Sequence, residues 1–216
     1  MRPMKSQPEK GQAGKVRLGV LISGGGRTLM NLHKLIGEGK LAAHIAIVIA
    51  SRPCQGAELA SKAGLNVQIA DYKKSGGADA YSEKITSLLD GADTELVVMA
   101  GFLSLWKIPP NYADRVINIH PALLPDFGGK GMYGHFVHEA VLKAGCKVSG
   151  CTVHFVNNEY DCGPIILQRT VPVMEGDTPD SLAGRVFEQE LLALPEAISL
   201  FAAGHLRIDG PVVRIS

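Results

Sequence analysis

Asn118 and His120 stand two positions apart in the segment NIHPALLP, residues 118–125. Side chains alternate across a strand, so two residues at this spacing project to one face. An amide beside an imidazole can hold a developing oxyanion and carry a proton, the combination that acyl transfer through a tetrahedral species requires. The plain alternative is a histidine whose ring is satisfied structurally at a strand end. A carboxylate follows in NNEYDCGP, where Asp161 opens an Asp-x-Gly-Pro turn. Aspartate is common in such turns because its side chain bonds nearby backbone amides. If the loop folds over the strand ends, Asp161 would pair with His120, raise the imidazole pKa and relay protons.

A second constellation is SGGGRT, residues 23–28, between an apolar run and a helical stretch. Successive glycines let the backbone turn tightly, and the free amides at the following helix start favour a phosphate. The loop does not fit a dinucleotide fingerprint. Leu29 occupies the position that needs Gly or Ala, and ASRP ends the next strand where an acidic ribose ligand would stand. No Gly-Lys-Ser/Thr follows, which removes a Walker A loop. A tight turn without a ligand is the competing reading.

Alternating elements must position these groups. VRLGVLI (16–22) is a short apolar run, TLMNLHKLIGEG (28–39) has helical spacing and ends in glycines, and HIAIVIAS (44–51) is apolar again. The alternation continues through GAELASKAG, NVQIAD, DAYSEKITSLLDGA and ELVVMAGF. It predicts an α/β fold with a mostly parallel, Rossmann-like open sheet and helices on both faces. GCTVHFVNN (150–158) and GPIILQRTVPV (163–173) read as an antiparallel strand pair toward the C-terminus, joined through EYDCG. A final helix over 178–204 has Thr178 or Asp177 as N-cap, Pro179 in its first turn and a kink before Pro195. The polar, unpatterned residues 1–15 predict a disordered tail, and residues 16–216 a single domain.

Composition excludes several function classes. A chain of 216 residues with 46% hydrophobic content suits one buried core. With Lys+Arg 22 against Asp+Glu 21, there is no broad basic footprint for nucleic acid or an anionic membrane. No signal-peptide h-region opens the chain, and no apolar run is long enough to span a bilayer. Cys54, Cys146, Cys151 and Cys162 are irregularly spaced, which fits reduced thiols in a cytoplasmic protein. His120, His135, His138 and His154 make no helix-borne metal pair, and no C-x-x-C is present, so no metal is expected.

LISGGGRTL, VVMAGF, INIHPALLP, CTVHFVNNEYDCGPIILQ and VPVMEGDTPDSLAGRV occur in an order and at a spacing that resemble the phosphoribosylglycinamide formyltransferases. These are the folate-dependent glycinamide ribonucleotide transformylases of purine synthesis. The resemblance covers residues 16 to 208 and implies the formyltransferase fold. It implies transfer of the formyl group of 10-formyltetrahydrofolate to the amine of 5'-phosphoribosylglycinamide, with small-molecule partners alone and a monomer or homodimer. Carried over by motif, His120 is the general acid/base and oxyanion partner, Asn118 the oxyanion donor and Asp161 the carboxylate that tunes the histidine. The ribonucleotide falls to Gly26, Arg27, Thr28 and Glu190. The folate falls to Leu103, Ser104, Leu105 and Trp106 and to Asn157, Asn158, Glu159, Tyr160 and Asp161. On their own residues, Glu190 would be a solvated helix carboxylate and Trp106 core filler.

The chain also departs from the family pattern. Arg27-Thr28 replaces a usual Ser-Asn, Ser104 stands where an arginine is frequent, and Ala78 stands where an arginine touching the folate tail occurs. FGGKGMYGHFVHEAV (127–141) reads as a glycine-rich loop carrying Lys130, His135 and His138, placed to close over a site or to pack on another subunit. Two other formyl-group enzymes share the chemistry. Formyltetrahydrofolate hydrolase would bring an amino-terminal regulatory domain, and methionyl-tRNA formyltransferase a carboxy-terminal tRNA-binding domain. A non-catalytic nucleotide-binding module is the alternative of a different class, and nothing in simple binding requires Asn118, His120 and Asp161 together.

Overall fold

The first strand, β1 (Val16–Ile22), is apolar along almost its whole length and is buried on both faces, as a central parallel strand must be. The computed structural model of the chain describes residues 14–216, so the expected tail over 1–15 falls outside the described residues apart from Gly14 and Lys15. From β1 the chain runs through α1 (Arg27–Gly37), β2 (Ala43–Ala50), α2 (Gln55–Lys62), β3 (Val67–Ile69), α3 (Ala78–Gly91), β4 (Leu96–Met99) and β5 (Val116–His120). It continues through α4 (His135–Lys143), β6 (Val148–Phe155), β7 (Ile165–Pro172), α5 (Pro179–Ala202), β8 (Leu206–Asp209) and β9 (Val212–Ile215). No helix among the described residues is long and apolar enough to cross a membrane.

All the strands share one nine-stranded sheet in the order β3-β2-β1-β4-β5-β6-β7-β9-β8. The first five in that order are parallel, and β6 pairs antiparallel with both β5 and β7. The chain leaves β1 toward β2 and β3, then crosses back to β4 and β5. The order therefore reverses between β1 and β4, and ligands of open α/β sheets bind outside the carboxyl ends of strands at such a point.

One core lies between Leu18, Val20, Ile22, Val98, Ile117 and Ile119 of the sheet and residues of α1, α2 and α5. The other packs Leu21, Ile49, Val97 and Val116 against Tyr81, Ile85 and Leu89 of α3. Each such fully buried aliphatic side chain contributes about 1.5–3 kcal/mol of hydrophobic stabilisation. Asn118 and His120 continue the Val116 side of β5.

α5 starts at a capping box in which Thr178 accepts from the Ser181 amide and Ser181 from the Thr178 amide, with Pro179 first in the helix. Asp177 instead accepts two hydrogen bonds from Arg185. The helix runs on through Pro195 to Ala202. Proline has no N–H for the carbonyl four residues back, here Leu191, and Asn31 Nδ2 of α1 donates to that carbonyl at 3.0 Å.

Two regions differ from the sequence expectation. The glycine-rich stretch is a loop only as far as Gly134, and His135 begins α4. Val137, His138 and Val141 follow helical spacing and are buried, so His138 is a packed helix residue and not part of a loop. The chain also ends in the hairpin β8–β9, which turns through Asp209-Gly210 and extends the sheet edge beyond β7.

Candidate active site

β5 and β6 run antiparallel with Asn118 opposite His154 and His120 opposite Thr152. Directly opposed residues share a face, so four polar side chains gather at one end of the sheet. Thr152 anchors the chain leaving β5: its hydroxyl donates to the Ala122 carbonyl at 2.6 Å and accepts from the Leu124 amide at 3.0 Å. Gln168 of β7 donates to both Thr152 Oγ1 and the Leu124 carbonyl at 2.9 Å. The loop so held brings the Phe127 carbonyl 2.9 Å from His120 Nε2. A carbonyl only accepts, so Nε2 carries the proton and the neutral ring keeps its lone pair on Nδ1.

Asp161 closes the arrangement. It adopts a left-handed backbone with φ +54°, an uncommon conformation that aspartate tolerates better than most residues. Its Oδ2 lies 3.7 Å from His120 Nδ1, and its Oδ1 lies 3.7 Å from His154 Nε2. The Gly129 amide donates to Oδ2 at 2.9 Å. His154 Nδ1 donates to the Phe155 carbonyl at 2.8 Å, which leaves Nε2 to accept from Asn118 Nδ2 at 3.2 Å. His154 therefore fixes which way the Asn118 carboxamide faces. No sequence signal beyond its place in CTVHFV marked it as a site residue, because its role depends on the β5–β6 register.

Burial pushes His120 below the ordinary imidazole pKa; the Asp161 charge and the Phe127 carbonyl pull upward without reversing this, and His154 adds to the depression. Asp161 thus acts in the expected direction, but the net shift is downward and corrects the expectation of a raised value. Burial also works to raise the Asp161 carboxyl. His154, a close polar neighbour at 3.7 Å, the Gly129 amide and the His120 charge more than offset it and hold Asp161 below the usual carboxylate range. Near neutral pH the site holds a neutral His120 beside an ionised Asp161.

The glycine loop lies at the switch point. Gly26 caps α1 at φ +74°, and no side chain caps the helix start or places an acid in its first turn. The free amides of that turn are available to an anion. A Cβ on Gly26 would come 2.5 Å from Gly56 Cα, so α2 packs directly on the loop. Ser23 ties the strand ends together: its hydroxyl meets Ser51 Oγ at 2.7 Å and accepts from the Leu103 amide at 2.9 Å. Arg27 places its guanidinium 3.9 Å from the Phe187 ring centroid. Thr28 follows it in the first turn of α1. Glu190, one turn beyond Phe187, is half-buried and not a solvated carboxylate. Burial raises its pKa to about 7, against a downward pull from Arg27.

The two expected folate segments are adjacent. Asn158 accepts from the Ile108 amide at 2.9 Å and donates to the Ile108 carbonyl at 3.2 Å, which pins the loop 157–161 beside the segment after β4. Leu103, Leu105 and Tyr160 are exposed, and Ser104 is half-buried. Asn157 accepts from the Glu159 amide and shapes the turn. Trp106 is not brought to this surface. It is 3% exposed, donates to Thr86 Oγ1 at 3.2 Å and stacks edge-on with Tyr112, so its side chain belongs to the core on the α3 side. A cavity of about 720 Å³ borders the other flank of Asp161, between Leu124–Gly129 and the hairpin residues Pro211–Val213. Among the described residues, no group of three or more His, Cys, Asp or Glu side chains is placed to hold a metal ion.

Residues 16–198 match the formyl transferase family. The chain is 39% identical over 178 residues to the chloroplastic phosphoribosylglycinamide formyltransferase of Arabidopsis thaliana, covering 81% of this chain and 61% of that protein. It is 39% identical over 200 residues to the trifunctional purine biosynthetic protein adenosine-3 of Bos taurus, covering 91% of this chain but 19% of that protein. The chain thus spans less than two thirds of these curated relatives. Among solved structures, the glycinamide ribonucleotide transformylase 1 of Symbiobacterium toebii superposes with a TM-score of 0.88 at 38% identity, covering 97% of this chain and 98% of that one. A formyltetrahydrofolate deformylase from Pseudomonas syringae pv. tomato superposes at 0.82 with 22% identity, covering 94% of this chain and 67% of that one, a likeness of fold alone.

Proposed function

The chain belongs to the formyl transferase family, and from that premise we propose that it moves a formyl group from 10-formyltetrahydrofolate to the amine of 5'-phosphoribosylglycinamide, a step of purine synthesis. The observation that carries the reading is one ionised carboxylate, Asp161, set 3.7 Å from two buried imidazoles, one of which orients the Asn118 amide.

An amine that adds to a formyl carbon gives up a proton while negative charge gathers on the formyl oxygen. His120, neutral with its lone pair on Nδ1, accepts that proton, and Asp161 stabilises the imidazolium as it forms. The returned proton leaves from the same nitrogen toward the departing amine. Asn118 has two N–H donors on Nδ2; His154 accepts one, and the second is free for the oxyanion. Exposed Leu103, Leu105 and Tyr160 beside the polar turn 157–161 suit a flat heteroaromatic donor, with Ser104, Asn158 and Glu159 at its edge. The folate supplies the activated formyl group. Trp106 supports that wall from behind, as core. Gly26, Arg27 and Thr28 receive the acceptor's phosphate, with Glu190 facing the same end.

The test is to mix the protein with 10-formyltetrahydrofolate, with and without 5'-phosphoribosylglycinamide, and follow both the folate product and the formylated amine. Formylated amine that depends on the acceptor supports the proposal. Folate turnover that proceeds equally without acceptor would make the protein a hydrolase.

A further inference from the structure

His120 and Asp161 meet in the less favourable of two arrangements. The His120 ring gives its one N–H to the Phe127 carbonyl at 2.9 Å and turns the lone pair of Nδ1 toward Asp161 Oδ2 at 3.7 Å. His154 repeats the pattern, with its N–H on the Phe155 carbonyl and its bare Nε2 3.7 Å from Asp161 Oδ1. An ionised carboxylate is a stronger acceptor than a neutral carbonyl, so an unconstrained imidazole between the two would give its N–H to the carboxylate. His120 would then carry its proton on Nδ1 and keep its lone pair on Nε2, where a carbonyl already lies.

One short turn prevents this. Phe127 supplies the carbonyl to His120, and two residues on the Gly129 amide donates at 2.9 Å to Asp161 Oδ2, the same oxygen that faces His120. Gly128 between them packs on the stem of the carboxylate: a Cβ there would come 3.2 Å from Asp161 Cβ and 2.5 Å from Leu124 Cδ2. The turn therefore accepts the ring proton and also holds the carboxylate off. Phe127 takes a left-handed backbone with φ +54°, a conformation that bulky residues rarely adopt. Its ring packs against the core shared with α1, α2 and α5, while its carbonyl meets a histidine on the opposite face of β5. A side chain tied down in one core thus aims a backbone group at the other side of the strand end.

We propose that Phe127 is a positioning residue that selects the His120 tautomer, its anchored ring holding the turn Phe127–Gly129 so that Nδ1 stays free to take the proton released by the amine. This rests on the reading that His120 is the base of formyl transfer. In the resting protein the Nδ1 lone pair faces a negative charge. Once Nδ1 takes the amine proton, the same carboxylate faces an N–H on a positive ring. The proton then leaves Nδ1 for the departing amine, which restores the starting tautomer. The misfit before transfer becomes an attraction after it, and the turn keeps the pair from relaxing early.

The experiment compares the parent with Phe127→Gly, Phe127→Leu, Phe127→Tyr and Gly128→Ala. Glycine accepts the left-handed backbone and removes only the anchor. Leucine keeps part of the anchor, tyrosine keeps the ring, and Gly128→Ala shifts the turn without touching Phe127. The first readout is the NMR shift of each ring nitrogen of His120 in the ligand-free protein, above its titration range. The parent should show a protonated Nε2 and a bare Nδ1. Phe127→Gly and Gly128→Ala should move proton density to Nδ1, Phe127→Leu should do so in part, and Phe127→Tyr should match the parent. The second readout is formyl transfer: kcat should fall about 10- to 100-fold in Phe127→Gly, in step with the tautomer, while KM for both substrates stays within about twofold. A parent with its proton on Nδ1 would overturn the proposal, as would a Phe127→Gly protein whose ring nitrogens match the parent. If Phe127→Gly does not fold, Phe127→Leu and Gly128→Ala carry the same readouts, and unmoved ring nitrogens in both overturn it equally. Ring nitrogens that shift as expected, in a protein that forms no formylated amine, would sink the proposed function and leave the tautomer selection standing. Formylated amine from a protein whose His120 tautomer ignores Phe127 would do the reverse.

Discussion

Oδ2 of Asp161 lies 3.7 Å from Nδ1 of His120, on the side of the ring opposite the Phe127 carbonyl that fixes its tautomer. The carboxylate therefore meets the one ring nitrogen able to accept a proton. It opposes the burial that depresses the His120 pKa.

The Asp161→Asn variant should consequently lower the His120 pKa further, read by histidine NMR titration. With the neutral imidazole as the proposed working form, the acid limb of kcat is expected below the ordinary value of 6.5 in the parent and at lower pH still in the variant. At neutral pH, kcat should fall by about 10²–10⁴ with little change in acceptor KM. His120→Ala should be as damaging, and the double variant scarcely worse than the poorer single one, because groups acting as a unit are non-additive. Additive losses with an unmoved His120 pKa would reduce Asp161 to a turn residue.

Glu190 and the buried histidines pull the pH dependence of stability in opposite directions. Glu190 is raised from 4.5 to about 7, so its contribution is fully present below 4.5 and is lost as pH rises through about 7. His120 and His138 are depressed from 6.5 by burial, so theirs is present above 6.5 and lost as pH falls through the lower folded values. Glu190→Gln should thus stabilise the ligand-free protein at pH 8, by about 1–3 kcal/mol after allowance for partial exposure, and should have almost no effect at pH 4.5. Thermal melts at the two pH values decide it; a variant less stable than the parent at pH 8 would show that the carboxylate is well solvated.

The glycine loop offers a cleaner lesion from outside its own sequence. A Cβ on Gly56 would come 2.8 Å from the Gly24 carbonyl oxygen and 2.9 Å from Gly26 Cα, all backbone atoms that cannot swing away. Gly56→Ala should displace the loop and raise acceptor KM about tenfold or more, with donor KM nearly unchanged. Gly26→Val is a less specific lesion, because the positive φ and the contact with Gly56 mean that it strains the loop before any ligand arrives. Equal effects of Gly56→Ala on both substrates would remove the loop from acceptor binding.

How much of this was legible beforehand follows from what each element depends on. β1 to β5 announce themselves because parallel strands buried on both faces read as apolar runs, and Asn118 and His120 stand out as polar interruptions at the end of one. β8 and β9 carry little signal because they are short strands of mixed composition at one end of the sheet, with much of their surface exposed. α4 was hidden behind the glycines that precede it, although the spacing of Val137, His138 and Val141 carried a signal. His154 and Phe187 could not be assigned at all: the first matters through a cross-strand register and the second through a helix crossing. Neither is encoded locally.

Trp106 reverses an expectation. A tryptophan at the folate wall would change its emission on donor binding, but this indole is buried against Tyr112 and bonded to Thr86. Trp106→Phe should lower stability by about 1–3 kcal/mol through lost packing and the lost hydrogen bond to Thr86, whose hydroxyl still donates to the Ser82 carbonyl, while leaving donor KM close to the parent value. Leu103→Ala, at an exposed position in the same segment, should do the opposite. A donor KM more sensitive to Trp106→Phe than to Leu103→Ala would return the indole to the ligand surface.

The junction of α1 with α5 allows a test in which one substitution repairs another. Asn31 donates to the Leu191 carbonyl because Pro195, four residues on, has no N–H to give it. Asn31→Ala strands that carbonyl where α1 covers it and should cost about 1–3 kcal/mol. Pro195→Ala restores a backbone donor to the same carbonyl. In that background Asn31→Ala should cost well under half as much, so a double-mutant cycle should show clear coupling. The register of α1 on α5 also seats Arg27 over Phe187. Asn31→Ala in the parent background should therefore raise acceptor KM as well as lower Tm, and Pro195→Ala should recover the Tm more fully than the KM, because the new helical hydrogen bond satisfies Leu191 without tying α1 to it. Additive stabilities in the cycle, or a KM untouched by Asn31→Ala, would show that the two helices hold their register by apolar packing alone.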